Sequence, residues 1–205
     1  MTIRNTALLT DQYELTMVSA ALRQPIAHRQ CVFEVFARRL PDGRRYGVVA
    51  GTARILDALT QFRFGEDEIA VVERFLDDET VEWLRNYEFT GDIDGYREGE
   101  LYFPNSPILT VRGTFAEAVV LETLILSILN HDSAIASAAA RMVSAASRRP
   151  IIEMGSRRTH EWAAVASARA AYLAGVAATS NLEAARTYGV PSAGTAALSI
   201  TLAFT

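Results

Sequence analysis

The sequence predicts an α/β protein, and three observations carry that expectation. Three short apolar runs near the C-terminus, Pro150-Ile-Ile-Glu-Met-Gly-Ser-Arg-Arg158, Gly175-Val-Ala-Ala-Thr-Ser-Asn181 and Val190-Pro-Ser-Ala-Gly-Thr-Ala-Ala-Leu-Ser199, each pass into small polar or charged residues. Ala-rich stretches of helical period separate them, so the order reads strand, helix, strand, helix, strand. That is a parallel β/α unit, whose ligands gather at strand C-termini. Finally, 205 residues with 50% hydrophobic content and a mean hydropathy of +0.11 are enough to bury a real core.

From the start of the chain, Leu9-Thr-Asp-Gln-Tyr-Glu-Leu-Thr-Met17 opens a helix. Asp11 can cap it while Glu14, three residues on, reaches back as in a capping box, which puts Tyr13 in the first turns. A strand is predicted over Cys31 to Ala37, then a turn at Leu40-Pro-Asp-Gly-Arg44, where Pro presets φ and Gly accepts a positive one. Gly47 to Ala50 is expected to continue that sheet. Arg54 to Leu59, Glu66 to Leu76 and Glu79 to Asn86 have helix-period apolar residues, with Asp78 as the cap of the last. Asp92 to Phe103 alternates around two glycines and reads as a hairpin or short paired strands. The character changes near Ile108, so two domains are expected, 1–107 and 108–205. The second begins with a strand at Leu109 to Arg112 and one long helix from Phe115 to about Ser147, apolar on almost every face and therefore covered by protein. Helices near His160 to Leu173 and Asn181 to Tyr188 complete the β/α rhythm, and Pro191 after Gly189 marks the last stop.

Composition removes several function classes. A formal net charge of -4 gives no broad basic field for a phosphate backbone, so nucleic acid is not an expected partner. All 20 Lys+Arg residues are Arg. A P-loop and a Schiff-base or pyridoxal site both need Lys, so this chain alone builds neither. Arginine instead offers a fixed fork of donors for carboxylate or phosphate. The lone Cys31 sits in an apolar strand, where a buried inert thiol is expected and no disulfide framework can form. The N-terminus has no signal-type apolar core, and Glu117 and Glu122 interrupt the most apolar helix. No membrane span and a cytoplasmic location are the expectation.

The candidate chemistry sits at the strand ends. Gly155-Ser-Arg-Arg158 places two guanidiniums after a flexible glycine, which suits a turn approaching an anion, although Arg38-Arg39, Arg44-Arg45 and Arg148-Arg149 show that paired arginines also occur elsewhere in the chain. Thr179-Ser-Asn181 offers hydroxyl and amide groups directly before a helix, either as ligands or as an N-cap. Gly194-Thr-Ala-Ala197 allows close backbone approach and one hydroxyl. Of the histidines, His28 reads as solvated, His131 as a packing or local group, and His160 as a helix start beside the site. No His/Cys/Asp spacing suggests a metal centre, and no Gly-x-Ser-x-Gly elbow suggests a hydrolase.

Taken together, Thr10-Asp-Gln-Tyr-Glu-Leu-Thr-Met17, Glu34-Val-Phe-Ala-Arg-Arg-Leu-Pro41, Gly155-Ser-Arg-Arg-Thr-His160, Thr179-Ser-Asn-Leu-Glu-Ala184 and Gly189-Val-Pro-Ser-Ala-Gly-Thr-Ala-Ala197 resemble the nicotinate phosphoribosyltransferases of actinobacterial type. The resemblance implies an N-terminal α/β domain followed by part of an irregular β/α barrel, with barrel strands at about 109 to 112, 150 to 154, 176 to 180 and 192 to 197. The family's chains are about twice as long, so the expectation is an N-terminal half whose barrel does not close. The family joins nicotinate to 5-phosphoribosyl 1-diphosphate with Mg²⁺ and hydrolyses ATP alongside, an entry step of NAD salvage.

By that similarity, Tyr13 matches a tyrosine that stacks on the nicotinate ring from the neighbouring subunit of a homodimer. Arg157 and Thr195 match contacts near the ring, and Ser180 and Asn181 match the wall facing the pyridine substituent. A neutral Asn181 there suits a carboxylate substrate, which an acidic wall would repel. No metal ligand and no catalytic residue is carried over. Leu198 stands where the family has a phosphorylated histidine, and Ile200 and Phe204 also depart from the pattern. The expected function is therefore nicotinate phosphoribosyl transfer. Its alternative is a catalytically impaired fragment acting only as a nicotinate-binding or dimerisation module.

Overall fold

A computed structural model of the chain describes residues 5–204, which divide into two compact units between His131 and Asp132. The sequence placed the division at 107, just before a segment that the structure puts at the centre of the first unit's sheet.

In the first unit, α1 (Gln12–Leu22) starts from Asp11, and the Glu14 carboxylate accepts the Asp11 backbone N–H at 3.3 Å. Three strands, β1 (Gln30–Val35), β3 (Asp92–Gly95) and β5 (Leu109–Thr114), form an antiparallel sheet in the order β1-β5-β3. Phe33 lies opposite Val111, and Ile93 pairs Val111 from the other side. This register turns one face inward, where Leu109 and Val111 are buried, and leaves Arg112 outside to bond Asp94. The remaining strands, β2 (Gly47–Val48) and β4 (Leu101–Tyr102), form their own antiparallel pair. Gly47 therefore does not extend the main sheet, and the 92–103 segment is not a hairpin. Its two halves pair with different partners, separated by the turn at Gly99, whose φ is +91°.

Helices α2 (Thr52–Leu59), α3 (Glu66–Val72) and α4 (Asp78–Arg85) cover the core, burying Ile55, Ile69, Val72 and Leu84 beside Leu15 and Val18 of α1. Each such side chain contributes about 1.5–3 kcal/mol by leaving water. The cap of α4 is Asp77, one residue before the expected Asp78, and it accepts the Thr80 N–H at 2.8 Å. Phe62, Phe64 and Tyr87 add a cluster of edge-on rings with centroids 5.5 to 6.0 Å apart.

The long helix expected from Phe115 is two helices, α5 (Phe115–Val119) and α6 (Glu122–Ala146). The physical reason is Glu14. Its fully buried carboxylate accepts the Thr123 N–H at 2.9 Å and the Thr123 hydroxyl at 2.6 Å, and it also bonds the Thr10 hydroxyl. A helix running unbroken through 120 and 121 would have no Thr123 N–H to give, so the carboxylate marks a new helix start. Burial raises the Glu14 carboxyl above its ordinary range, and the Thr123 and Asp11 donors oppose that rise. Among the described residues, the run from Phe115 to Ala146 is the one long and apolar enough to cross a membrane, and half of its most apolar window is buried inside the protein.

The second unit carries the parallel segment. β6 (Ile152–Glu153) pairs in parallel with β7 (Ala178–Thr179), and Thr179 forms a parallel bridge to Ser192 on its other side. Between them lie α7 (Glu161–Leu173) and α8 (Leu182–Tyr188), packed through Val165, Ala168 and Ala184. Gly189 closes α8 with φ +67°, a conformation that favours glycine. Two sequence expectations change here. The 109–112 strand belongs to the antiparallel sheet of the first unit. The 192–197 strand reduces to the single bridge at Ser192, since Pro191 has no N–H to give and Gly194 no side chain to pack. A short helix, α9 (Leu198–Ala203), follows and buries none of its residues.

Candidate functional site

Both parallel strands end on short loops that the fold brings side by side. After β6 the chain turns at once, with the Arg158 N–H on the Gly155 carbonyl at 2.8 Å, which leaves Arg157 exposed at the turn. After β7, the Ser180 N–H donates to the Glu153 carbonyl at 2.9 Å, so the second loop is sewn to the end of the first strand. The Asn181 side-chain amide donates to the Ser156 hydroxyl at 3.1 Å and closes the gap between the loops.

The centre of this arrangement is Glu153, a residue that sequence reasoning missed. One carboxylate oxygen accepts the Gly155 N–H, and the other accepts the Thr179 hydroxyl at 2.6 Å. Thr179 is fully buried. Its oxygen in turn accepts the Asn181 N–H at 3.0 Å. A Cβ at Gly155 would stand 2.7 Å from that carboxylate oxygen, so a side chain there would push the Glu153 carboxylate aside. The only sequence signal was a Glu at the end of an apolar strand, and side-chain direction there is not readable from spacing.

Asn181 is the N-cap of α8, its Oδ1 accepting the Ala184 N–H at 2.9 Å. Both ends of its amide are thus engaged within the protein. His160 likewise caps α7, with Nδ1 accepting the Trp162 N–H at 3.3 Å. Thr195 lies exposed in the loop before α9, and Leu198 opens α9 with its side chain 72% exposed. The structure therefore brings Ser156, Ser180 and Asn181 together with the Arg157 turn, and shows no bond joining Thr195 or Leu198 to them. Among the described residues, no three His, Cys, Asp or Glu side chains converge to hold a metal ion.

Tyr13 belongs to the first unit. The residue is 45% exposed and its hydroxyl donates to Glu122 at 3.0 Å. Partial desolvation, and then the bond to the Glu122 carboxylate, pushes the phenol up to about 12. It stays neutral at physiological pH, with its hydroxyl tethered and part of the ring open to solvent.

Comparison with known proteins places this geometry in context. Residues 8–130 match the family model described as the nicotinate phosphoribosyltransferase N-terminal domain. A nicotinate phosphoribosyltransferase of Mycobacterium tuberculosis, pncB1, is 70% identical over 195 residues, which are 95% of this chain and 44% of that protein. The nicotinate phosphoribosyltransferase of Bacillus subtilis is 36% identical over 201 residues, covering 97% of this chain and 41% of that protein. The chain thus spans less than half the length of these curated relatives. Among solved structures, human nicotinic acid phosphoribosyltransferase superposes with a TM-score of 0.86 at 31% identity, over 95% of this chain and 40% of that one. Nicotinate-nucleotide pyrophosphorylase from Pyrococcus furiosus shares the fold, with a TM-score of 0.78 at 23% identity over 98% of this chain and 44% of that one.

Proposed function

Because this chain belongs to the nicotinate phosphoribosyltransferase family, we propose that it carries the nicotinate-recognising part of an enzyme that forms nicotinate mononucleotide in NAD salvage. One observation carries the reading: the loops after β6 and β7 are bonded into one surface that includes the turn carrying the exposed Arg157. An aromatic carboxylate suits such a surface. Arg157 supplies a forked, permanently charged donor, and the Ser180 and Thr195 hydroxyls add neutral ones. Asn181 adds no charge of its own to the wall, which favours a carboxylate over a carboxamide that would seek an acidic acceptor at that position.

The reaction asks little acid or base chemistry of the protein. The pyridine nitrogen attacks C1 of 5-phosphoribosyl 1-diphosphate with its lone pair; the N–C1 bond forms, the C1–O bond breaks, and diphosphate leaves with that electron pair. No proton has to be removed from the nucleophile. Binding and orientation are therefore the chain's contribution, with Tyr13 as the ring-stacking residue supplied across a homodimer. The β6–β7 pair with α7 and α8 is read as the opening of an irregular β/α barrel. A cytoplasmic location accompanies the reading. Mg²⁺ and ATP come with the family resemblance alone.

The test is direct. Incubated with nicotinate, 5-phosphoribosyl 1-diphosphate and Mg²⁺, the purified protein should accumulate nicotinate mononucleotide, and Arg157→Ala should lower kcat/KM by roughly tenfold or more through a raised KM for nicotinate. Absence of product from the folded protein would refute the transferase reading. A second reading, a nicotinate-binding or dimerisation module without turnover, is favoured by Leu198, whose hydrocarbon side chain has no atom to accept a phosphoryl group. It predicts nicotinate binding without product.

A further inference from the structure

We propose that Glu153 is a positioning residue that locks the 155–158 loop and the 179–181 loop into one register, so that the substrate meets both as a single rigid surface. The inference rests on the reading of this surface as the nicotinate site, and its structural content can be tested separately.

The bonds form a closed circuit. Glu153 accepts from the Gly155 N–H and from the Thr179 hydroxyl; Thr179 accepts from the Asn181 N–H; Asn181 donates to Ser156, next in chain to Gly155. The direction of each bond is fixed by chemistry. A backbone N–H can only donate, so the Thr179 oxygen receives Asn181 and its single proton must go to Glu153. Glu153 is thus asked to accept twice, once per oxygen, from two different loops. A carboxylate does this, and an amide of the same shape cannot, because one of its ends is a donor.

The location argues for geometry over charge. A carboxylate near the binding surface of an anion opposes binding, and the positive charge of Arg157, four residues on in the chain, works against that repulsion. Retaining an acid in such a place is reasonable where its two acceptor oxygens are needed. Thr179 is fully buried, so breaking its bond leaves a polar group without water to replace the partner. A side chain at Gly155 would meet the Glu153 carboxylate oxygen at 2.7 Å and displace it from the circuit.

The test uses amide hydrogen exchange by NMR on the whole chain, together with a nicotinate titration. Glu153→Gln and Thr179→Val should each speed exchange at both the Gly155 and Asn181 amides by roughly tenfold, since each removes one bond of a shared circuit. The double variant should be no worse than either single one, the mark of a coupled unit. Thr179→Ser, which keeps the hydroxyl, should restore protection at both amides. In parallel, the nicotinate KM should rise with kcat nearly unchanged, or its Kd should rise where turnover is absent. Exchange at Asn181 that ignores Glu153→Gln, or additive losses in the double variant, would overturn the proposal, as would intact nicotinate affinity despite lost protection. If Glu153→Gln does not fold, the contrast between Thr179→Val and Thr179→Ser decides the same point. If the wild-type chain binds no nicotinate, the functional reading fails while the exchange data still judge the coupling of the loops.

Discussion

Asn181 shows how one residue can look ambiguous in sequence for a sound reason. Ahead of a helix, an Asn is both a good cap and a good ligand, and the structure engages it as a cap through Oδ1 and as a tie to Ser156 through Nδ2. On the proposed reading, its contribution to substrate choice lies in being uncharged. Asn181→Asp keeps the cap, since Asp serves equally well, and can accept from the Ser156 hydroxyl in place of donating to it. We expect thermal stability to hold while nicotinate affinity falls by about tenfold and nicotinamide affinity does not fall, given the cost of like charges at close range. Titration of both ligands into both proteins checks this, and parallel losses for the two would contradict it. Paired arginines and the glycine before them were legible because they follow an apolar strand. Glu153 was not, because a strand's alternation says which face a residue occupies and nothing about which backbone N–H will fold back onto it.

At the level of elements, caps were the most readable features and partners the least. Asp11 and Glu14 announced α1 by local chemistry alone. The same Glu14 also starts α6, a pairing 109 residues apart in sequence that no local pattern contains. The 92–103 segment shows the same limit: of the hairpin and the short paired strands that its alternation suggested, it forms the short strands, but β3 and β4 pair with β5 and β2 and not with each other. Asp77 illustrates an element tie with a measurable consequence. It caps α4 through Thr80 and bonds Ser19 at 2.8 Å and Arg23 at 2.7 Å, joining α4 to α1. The Thr80 bonds first, then those of Ser19 and Arg23, hold its carboxyl well below the usual carboxylate range. A depressed folded-state value means that the stabilisation is complete above the ordinary carboxylate range and is withdrawn as pH falls through that range toward the depressed one. Asp77→Asn should therefore lower Tm at neutral pH, with the gap from wild type narrowing as the solution is acidified. A gap independent of pH would show that the charge contributes nothing.

For the whole molecule, the sequence pattern conveyed an α/β class and the β/α order of the second unit. It misplaced the division, because the compositional change near 108 coincides with a strand that the first unit uses as its sheet centre. Family membership rests on a match over residues 8–130 and on relatives of up to 70% identity, whereas the proposed substrate surface rests on loops in the second unit and on one exposed guanidinium. The measurement that bears most directly on that surface is calorimetric titration of nicotinate into the 205-residue chain and into its Arg157→Ala variant. The account predicts saturable binding, one nicotinate per chain and preferred over nicotinamide, that weakens by about tenfold when the guanidinium is removed. No binding by the wild-type chain, or equal affinity in the variant, would contradict it.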